Sequence, residues 1–336
     1  MPTDAAEFGT GLLRTTLRRT VHGYRWSRSP GPRAPSPFAA LSPGLVDLLA
    51  ALPQIPGAGW LLGEEDRLGH RHYSARSPLS AAHLLLLGAG MAEDDPSRTP
   101  IVEALTDLGR LLASLHRVRL PPGLPPPAAS RALRRLHAWL TDRSSVPGAQ
   151  LLRTALGTRR YATLARGCAS ALAPGSSGVL CHGAPGLGSL LLPDDTGGAA
   201  AMFIGEDLCR APAGYDLGWP VGELIELRSS LGVRAPQSWQ PLVNAVATGY
   251  GAAGAVTDPF WPALRIAVHA HDTIAYRPWP PEAALPRFVP LLRDLLDASD
   301  LHRSDLLPER SPHAPVGRDI SRPQQDHAGE RSDPPH

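Results

Sequence analysis

The stretch GVLCHGAPGLGSLLL, residues Gly178–Leu192, carries the strongest fold signal in the chain. Two apolar runs flank a glycine-rich loop that contains the pair His182–Gly183. Short apolar runs bounded by glycine are typical of buried strands. The stretch therefore predicts a strand, a loop and a second strand, followed by a turn at Asp194–Gly198 and a short buried strand at Met202–Ile204.

Helical patterns lie on both sides of this β segment. Leucine and isoleucine recur at helical spacing through Ile101–Val118 and form one apolar stripe, and Leu133–Leu140 shows the same spacing. Further helices are predicted at Leu217–Leu231, Ser238–Tyr250, Trp261–Tyr276 and Arg287–Asp297. This order of elements predicts an α+β fold with a helical C-terminal half.

The first hundred residues are less regular. Thr15–Trp26 contains β-branched and aromatic residues that predict one or two strands, and Ser27–Pro37 is predicted to be a proline-rich loop. Ser42–Leu52 opens with serine and then proline, the pattern of an N-cap and a first helical residue, and predicts a helix. Two more strands are predicted at Gly59–Leu62 and His70–Ala75.

The composition is that of a folded protein. Of the 336 residues, 43% are hydrophobic and 19% are charged, which excludes a disordered chain, and the net charge of +2 gives no argument for nucleic-acid or membrane binding. The three cysteines have no metal or redox spacing, and the N-terminus has no apolar signal segment. We therefore expect a cytoplasmic protein that binds neither nucleic acid nor membrane.

Lysine is absent from the chain. All 33 basic residues are arginine, and together with 37 prolines and 33 glycines this indicates a high-GC coding bias. The bias has a chemical consequence whatever its origin. Reactions that need a lysine ammonium are excluded, among them phosphate binding by lysine and Schiff-base formation.

Three segments together resemble a known family. Leu108–Val118 (LGRLLASLHRV) is similar to the helix that precedes the catalytic core of aminoglycoside phosphotransferases and choline-kinase-like enzymes. Gly178–Leu192 resembles their catalytic segment, a strand, the motif HGDxxxxN and a second strand. Asp207–Leu224 (DLCRAPAGYDLGWPVGEL) resembles the stretch after their metal-binding aspartate. The segments occur in the family's order and at suitable separations.

This resemblance implies a bilobal, protein-kinase-like fold of the aminoglycoside phosphotransferase type. It covers roughly residues 101–300, and the preceding hundred residues match only in length and position. We expect a small mixed N-terminal lobe at residues 1–95 and a mainly helical C-terminal lobe, with the catalytic β insert, at 96–300. Residues 301–336 have few large apolar groups and are predicted to be a disordered tail.

Phosphoryl transfer in this family needs four groups. One aspartate handles the substrate hydroxyl, an asparagine and a second aspartate hold Mg²⁺, and a lysine of the N-terminal lobe holds the nucleotide phosphates. Aligned on the motif, the first aspartate falls on Ala184 and the asparagine on Ser189. The second aspartate falls on Ile204 or Gly205, depending on the register. The resemblance thus implies that no catalytic residue and no metal site remain.

Other positions match the family motif. His182–Gly183 supplies its first two residues, and Asp216, in the sequence YDLGW, matches a downstream structural aspartate. Glu206 and Asp207 lie just past the lost metal position and are candidates for residual metal or polar contacts. The alternative interpretation places them in a solvated turn or in a salt bridge to Arg210.

Weaker motifs add little. Three arginines are candidates to replace the missing lysine: Arg14, Arg18 and Arg71. His269–Asp272 (HAHD) and His70–His72 (HRH) resemble parts of zinc sites, but no further ligands complete a four-ligand set at diagnostic spacing. Gly9–Gly11 is too short to establish a nucleotide-binding loop.

Two functions follow from the resemblance. The first is a non-catalytic pseudokinase that binds a peptide substrate or a partner enzyme and needs neither ATP nor Mg²⁺. The composition and the family suggest ribosomal-peptide biosynthesis of the lanthipeptide or thioamide type, with a partner that phosphorylates Ser/Thr and a leader peptide bound in a groove or by strand addition. The second is an active ATP-dependent phosphotransferase that acts on a small-molecule or peptide hydroxyl through relocated metal ligands.

Overall fold

The structure is a computed structural model that describes residues 5–53, 55–87, 98–193, 198–231, 239–251, 258–277 and 279–306. Most of the predicted turn at Asp194–Gly198, the predicted helix start at Ser238 and the predicted lobe boundary near residue 95 lie outside these ranges. No helix of the ranges described is both long and apolar enough to cross a membrane.

The strands, in chain order, are β1 (Ala5–Gly9), β2 (Leu13–Thr20), β3 (Gly23–Pro30), β4 (Ala58–Leu62), β5 (Glu64–Glu65), β6 (Arg71–Ala75), β7 (Val179–Cys181), β8 (Leu190–Leu191), β9 (Ala200–Ile204) and β10 (Cys209–Ala211). The helices are α1 (Pro43–Ala50), α2 (Ala81–Leu86), α3 (Arg98–His116), α4 (Arg131–Leu140), α5 (Ala149–Leu156), α6 (Thr158–Leu172), α7 (Ala213–Ser230), α8 (Trp239–Tyr250), α9 (Phe260–Tyr276), α10 (Pro281–Ala284) and α11 (Val289–Leu306). This element content confirms the α+β prediction.

An antiparallel sheet with the strand order β1-β2-β3-β6-β5 forms the N-terminal lobe. The predicted loop at Ser27–Pro37 is wrong for its first four residues, because β3 continues to Pro30 and pairs with β2 throughout. Arginine and serine in this strand hid its alternating pattern. Trp26 and Arg28 lie on the same face of the sheet because side chains two apart in a strand share a face.

Two smaller sheets continue into the C-terminal lobe. One has the order β4-β9-β8, and in it β4 runs parallel to β9 with Leu61 opposite Phe203 and Leu62 opposite Ile204. The other pairs β7 with β10. The N-terminal part of the chain is therefore joined to the predicted catalytic insert by main-chain hydrogen bonds as well as by side-chain packing.

The predicted start of helix α1 agrees with the structure, because the residues at this start determine it locally. The Ser42 hydroxyl accepts a hydrogen bond from the Leu45 main-chain N–H at 3.3 Å, and Pro43 is the first residue of α1. In α3, the predicted stripe is buried, with Ile101, Leu105 and Leu108 fully inaccessible to solvent. Helix α3 packs against α7 and α8 in one apolar core.

Helices α4 to α7, α9 and α11 surround the second large core, which contains Trp139, Tyr215 and Phe260. Helix α7 begins at Ala213, four residues before the predicted start, so Asp216 lies in its first turn. Helix α11 continues to Leu306, which is six residues into the predicted tail. The remaining tail residues, 307–336, lie outside the described part of the chain.

Candidate functional site

A cleft with a cavity volume of about 240 Å³ lies between the two lobes. The β1–β2 turn, β3 and the segment that follows β3 line it from one side, and α4, α7, α9 and the loop after β7 line it from the other. Its volume is below the roughly 300–1,000 Å³ of typical small-molecule sites. The predicted chemical positions Ala184 and Ser189 both face this cleft.

The loop after β7 is held by a buried carboxylate. Asp216 is fully buried, and its two oxygens accept hydrogen bonds from the main-chain N–H groups of His182 (2.6 Å) and Gly183 (2.9 Å). His116 Nε2 lies 3.1 Å from the same carboxylate. The Asp216 carboxylate of helix α7 thus holds the loop by its main chain. Hydrogen bonds to a charged acceptor of this kind are strong.

Gly183 has a conformation that only glycine adopts easily here. Its φ is +94°, and a Cβ atom at this position would lie 1.8 Å from the carbonyl oxygen of Asp207. The neighbouring His182 is 4% exposed, and its Nε2 lies 2.6 Å from the carbonyl oxygen of Phe203. Since a carbonyl only accepts, Nε2 carries the proton, and Nδ1 then accepts from the Ala184 N–H at 3.3 Å.

The four predicted degenerate positions lie in two environments. Ala184 presents a methyl group to the cleft, and the buried Ser189 hydroxyl accepts a hydrogen bond from Arg28 Nη1 at 2.9 Å. Ile204 packs into an apolar cluster away from the cleft. Gly205 follows with φ +115° and has no side chain to offer.

Glu206 and Asp207 are two acidic residues that line the cleft just after β9, and Glu206 is the more buried of them. Glu206 is 8% exposed, forms a 3.1 Å ion pair with Arg28, and accepts a 2.7 Å hydrogen bond from the Tyr73 hydroxyl. Burial, together with the negative charge of Glu206, raises the pKa of Tyr73 far above its ordinary value. The Tyr73 phenol therefore stays protonated and donates to the carboxylate.

Asp207 pairs with a different arginine. Arg131 Nε on α4 donates to Asp207 Oδ1 at 2.7 Å. The alternative interpretation, a salt bridge to Arg210 or a solvated turn, is therefore wrong. Glu206 pairs with an arginine of β3 and Asp207 with an arginine of α4, and both elements are distant in sequence. Arg210 is instead part of β10, opposite Leu180 of β7.

Arg131 also anchors the chain segment between β3 and α1. Its guanidinium donates to the main-chain carbonyls of Ser36 (3.2 Å) and Pro37, and it lies 5.6 Å from the centre of the Phe38 ring. The Ala39 N–H donates to the carbonyl of Glu206 at 3.1 Å. The predicted proline-rich loop thus crosses one side of the cleft.

Ion pairs continue along the opposite wall. Arg135 of α4 contacts Asp272 of α9 at 3.0 Å, and His271 Nδ1 lies 2.8 Å from the same carboxylate. Burial favours the protonated form of Asp272, but hydrogen bonds and charge from His271 and Arg135 outweigh it, so the pKa of Asp272 is lowered. His269 pairs instead with Glu226. The two histidines of the HAHD motif therefore have different carboxylate partners.

The predicted lysine substitutes lie elsewhere. Arg71 is buried, forms an ion pair with Glu65 and donates to the carbonyls of Gly63 and Ala39. Arg14 and Arg18 are on β2 and do not line the cleft. Sequence reasoning missed Arg28, the arginine of the N-terminal sheet that lines the cleft. The signal that identifies it is its place on the third strand, where protein kinases carry their phosphate-binding lysine.

Two further clusters of polar residues contain histidine. His70 and His72 both approach Asp66 on the β5–β6 hairpin, at 3.2 and 3.1 Å, outside the cleft. Within the described ranges, one group of three potential ligands has its atoms within 4.8 Å of one another: His116, Cys181 and Asp216. The Asp216 oxygens in this group already accept the hydrogen bonds that hold the loop after β7.

The two lobes, the cleft and the loop after β7 define a protein-kinase-like fold of the aminoglycoside phosphotransferase type. Residues 45–255 match the family described as "Phosphotransferase enzyme family". The chain belongs to this family, as its three sequence segments predicted. No curated protein matches its sequence.

Solved structures with the same fold include two kinases. The amicoumacin kinase hAmiN, in complex with AMP-PNP, Ca²⁺ and Ami, is 14% identical, with a TM-score of 0.54 over 88% of this chain and 89% of that one. The choline kinase LicA from Streptococcus pneumoniae is 11% identical, with a TM-score of 0.52 over 87% of this chain and 93% of that one. At these identities the likeness establishes the fold alone, and it confirms the predicted bilobal architecture.

Proposed function

We propose that this chain is a non-catalytic pseudokinase that serves as a binding or scaffold subunit for a peptide substrate or a partner enzyme. The observation that carries the proposal is the contact of Arg28 with both Ser189 and Glu206. Ser189 aligns with the family's metal-binding asparagine, Glu206 follows the second metal position by one or two residues, and the Arg28 guanidinium contacts both. A Mg²⁺ ion there would meet a positive charge where it needs free lone pairs.

The other carboxylate near the lost metal position supports the same conclusion. Asp207 is held by Arg131, and the side chains of this pair are 16% exposed for Arg131 and 24% for Asp207. The Arg28–Glu206 pair is more enclosed, with both side chains 11% exposed. Metal binding would break a partly buried ion pair and leave an arginine without its partner, which is costly. We therefore infer that the protein functions without ATP and Mg²⁺.

The position where the family motif has its proton-accepting aspartate supports the same proposal. Ala184 has no acidic or basic group, and the adjacent His182 has both ring nitrogens engaged, by the Phe203 carbonyl and by the Ala184 N–H. A general base must be within hydrogen-bond reach of the hydroxyl that it activates. His182 cannot take this role without losing the contacts that hold its ring.

The exposed edge of the N-terminal sheet supports the binding of a partner. Strand β1 is at one edge, its five residues are exposed, and Phe8 is 50% exposed. In the ranges described, no strand pairs with its outer edge. An extended peptide can add to such an edge through main-chain hydrogen bonds. We propose a leader peptide of a lanthipeptide- or thioamide-type pathway as the occupant, and a Ser/Thr-phosphorylating enzyme as the partner.

The test has two parts. Isothermal titration and a phosphoryl-transfer assay with Mg·ATP are expected to show neither binding nor turnover by the purified chain. Co-purification with the products of neighbouring genes is expected to recover a partner enzyme or a precursor peptide. Turnover of Mg·ATP that is abolished by Ala substitution of Glu206 would overturn the proposal.

The alternative is an active phosphotransferase with relocated ligands. The observation that favours it is the convergence of Ser189, Glu206 and a phosphate-compatible arginine, Arg28, at one point of the cleft. It predicts micromolar, metal-dependent binding of ATP to the wild-type chain and loss of this binding in Glu206→Gln. A chain that binds a peptide tightly and ATP not at all contradicts it.

A further inference from the structure

Strand β3 sends two side chains into the space between the lobes. Arg28 reaches Ser189 and Glu206, at the end of the cleft where a kinase holds metal and phosphates. Trp26, two residues earlier, shares the same face of the sheet and is 2% exposed. It belongs to a buried cluster beside the cleft, together with residues of β6, β8 and β9.

Aromatic and aliphatic groups from both lobes enclose Trp26. Tyr73 of β6 is opposite it in the sheet register, and the Tyr73 ring stacks on Phe203 of β9 with ring centres 4.2 Å apart. The Phe203 ring also meets the Trp26 ring edge-on at 5.5 Å. Leu191, which follows the Ser189 position by two residues, completes this buried cluster. The indole thus fills a slot between the N-terminal sheet and strands β8 and β9.

A single hydrogen bond orients the indole. Trp26 Nε1 donates to the main-chain carbonyl of Ser77 at 3.1 Å. Ser77 belongs to the connection between β6, which ends at Ala75 in the N-terminal lobe, and α2, which begins at Ala81. Helix α2 shares an apolar core with α3 of the C-terminal lobe, so this connection joins the two lobes. A buried indole N–H normally finds such a partner. Here that partner is the backbone that links the two lobes.

We propose that Trp26 is an internal substitute for a nucleobase. A nucleotide with its phosphates near Arg28 and its metal near Ser189 would have to place its base in the enclosed inner slot. The indole has the properties that this slot would select in a purine: a planar bicyclic ring, two apolar faces and an N–H donor at one edge. Trp26 and Arg28 together then occupy the space of the whole nucleotide.

Two consequences follow, and both rest on the proposed non-catalytic function. The wild-type cleft excludes adenine nucleosides sterically, whether or not Mg²⁺ is present. The two lobes are also held together in the absence of a ligand, since the indole contacts β9 and the connection between the lobes at once. The closed arrangement that other kinases obtain on nucleotide binding is built into this chain.

Trp139 provides a matched control. It is also fully buried, and its Nε1 donates to the main-chain carbonyl of Pro147 at the same 3.1 Å, but it lies in the core of the helical lobe. Trp26→Ala and Trp139→Ala therefore remove the same ring and the same type of hydrogen bond. Only Trp26→Ala opens space between the N-terminal sheet and strands β8 and β9.

The experiment measures adenosine binding to the full-length wild-type chain and to both variants, by isothermal titration and by the melting temperature. Adenosine carries no charge, so Arg28 and Mg²⁺ do not affect its binding. We expect adenosine to raise the melting temperature of Trp26→Ala and to bind this variant at least about tenfold more tightly than wild type or Trp139→Ala. Equal binding to all three, or no binding to Trp26→Ala, overturns the inference.

A second variant covers poor folding of Trp26→Ala. Trp26→Val keeps an apolar, β-branched residue suited to a strand and still frees most of the slot. The same gain in adenosine binding is expected, and its absence in a folded Trp26→Val protein overturns the inference. Adenosine binding by the wild-type chain would also overturn it and leave the non-catalytic function intact, whereas phosphoryl transfer by the wild-type chain would overturn the proposed function itself.

Discussion

Two buried carboxylates, Asp216 and Glu206, have contrasting partners. Asp216 accepts from two main-chain N–H groups of this loop and contacts His116, so its partners lie within the C-terminal lobe. Glu206 is held by Arg28 and Tyr73, two side chains of the N-terminal sheet. The first carboxylate maintains the shape of a kinase loop. The second is engaged in an interlobe ion pair where a kinase would need a ligand free for metal.

The largest effect on the free energy of unfolding is expected when the Asp216 carboxylate is removed. Asp216→Ala leaves two buried main-chain donors and His116 without their acceptor, and should lower the free energy of unfolding by about 3–5 kcal/mol. Urea denaturation followed by circular dichroism measures this loss. Asp216→Asn keeps one acceptor oxygen and should lose less. A loss below about 1 kcal/mol in Asp216→Ala would show that the loop is held by other contacts.

A smaller effect is expected at the Arg28–Glu206 pair. A double-mutant cycle with Arg28→Met and Glu206→Gln should give a coupling energy of about 1–3 kcal/mol, because both side chains are largely buried. The control cycle uses Arg160 and Asp297, a bidentate pair with side chains 35% and 52% exposed. Its coupling should be clearly smaller than that of the cleft pair, because water and salt screen an exposed pair. Equal couplings in the two cycles would contradict the structural role of the cleft pair.

A smaller effect again is expected on the free energy of unfolding at low pH, through Asp272. The pKa of Asp272 is lowered from its ordinary value of 3.8, so its contribution to folding is present above pH 3.8 and is lost as the pH falls through the lower, folded-state pKa. The free energy of unfolding of Asp272→Asn should fall below that of wild type at pH 7 and approach it below pH 3.8. Melting curves from pH 7 to pH 2.5 test this. A constant difference across that range would contradict the assignment.

The smallest effect is expected from an aspartate at position 184, where the family motif has one. Ala184→Asp returns a carboxylate to the motif but leaves Trp26 and Arg28 in the cleft. We expect no phosphoryl transfer from Mg·ATP above the wild-type background in a radiolabel assay. The paired variant Ala184→Asp with Trp26→Ala serves as comparison, because it opens the inner slot. Turnover by Ala184→Asp alone would show that the cleft admits nucleotide as it stands.

Local patterns in the sequence predicted a large part of this structure. The stripe of α3 and the N-cap of α1 depend on neighbours within a few residues, so spacing alone identifies them. The motif match identified His182, Gly183 and Asp216, and the structure brings these three residues together. Their identification needed the family resemblance, since Asp216 is 34 residues from His182.

The contents of the cleft could not be predicted in this way. Arg28 and its contact Ser189 are 161 residues apart, and no local pattern connects them. The chain has 33 arginines, and nothing in the composition distinguishes the one that contacts both Ser189 and Glu206. The alternative that paired Glu206 and Asp207 with the neighbouring Arg210 fails for the same reason. Their partners come from β3 and α4, and only the tertiary fold brings that strand and that helix near them.

The parallel pairing of β4 with β9 limits how the lobes can move. Five consecutive residue pairs join Ala58–Leu62 to Ala200–Ile204 across the border between the lobes. A hydrogen-bonded ladder resists sliding along the strand axis, because a shift of register breaks every bond at once. It tolerates changes of twist more easily. A partner that opened this cleft would therefore turn one lobe against the other about the β4–β9 seam, and amides along the seam would be among the last to exchange with deuterium.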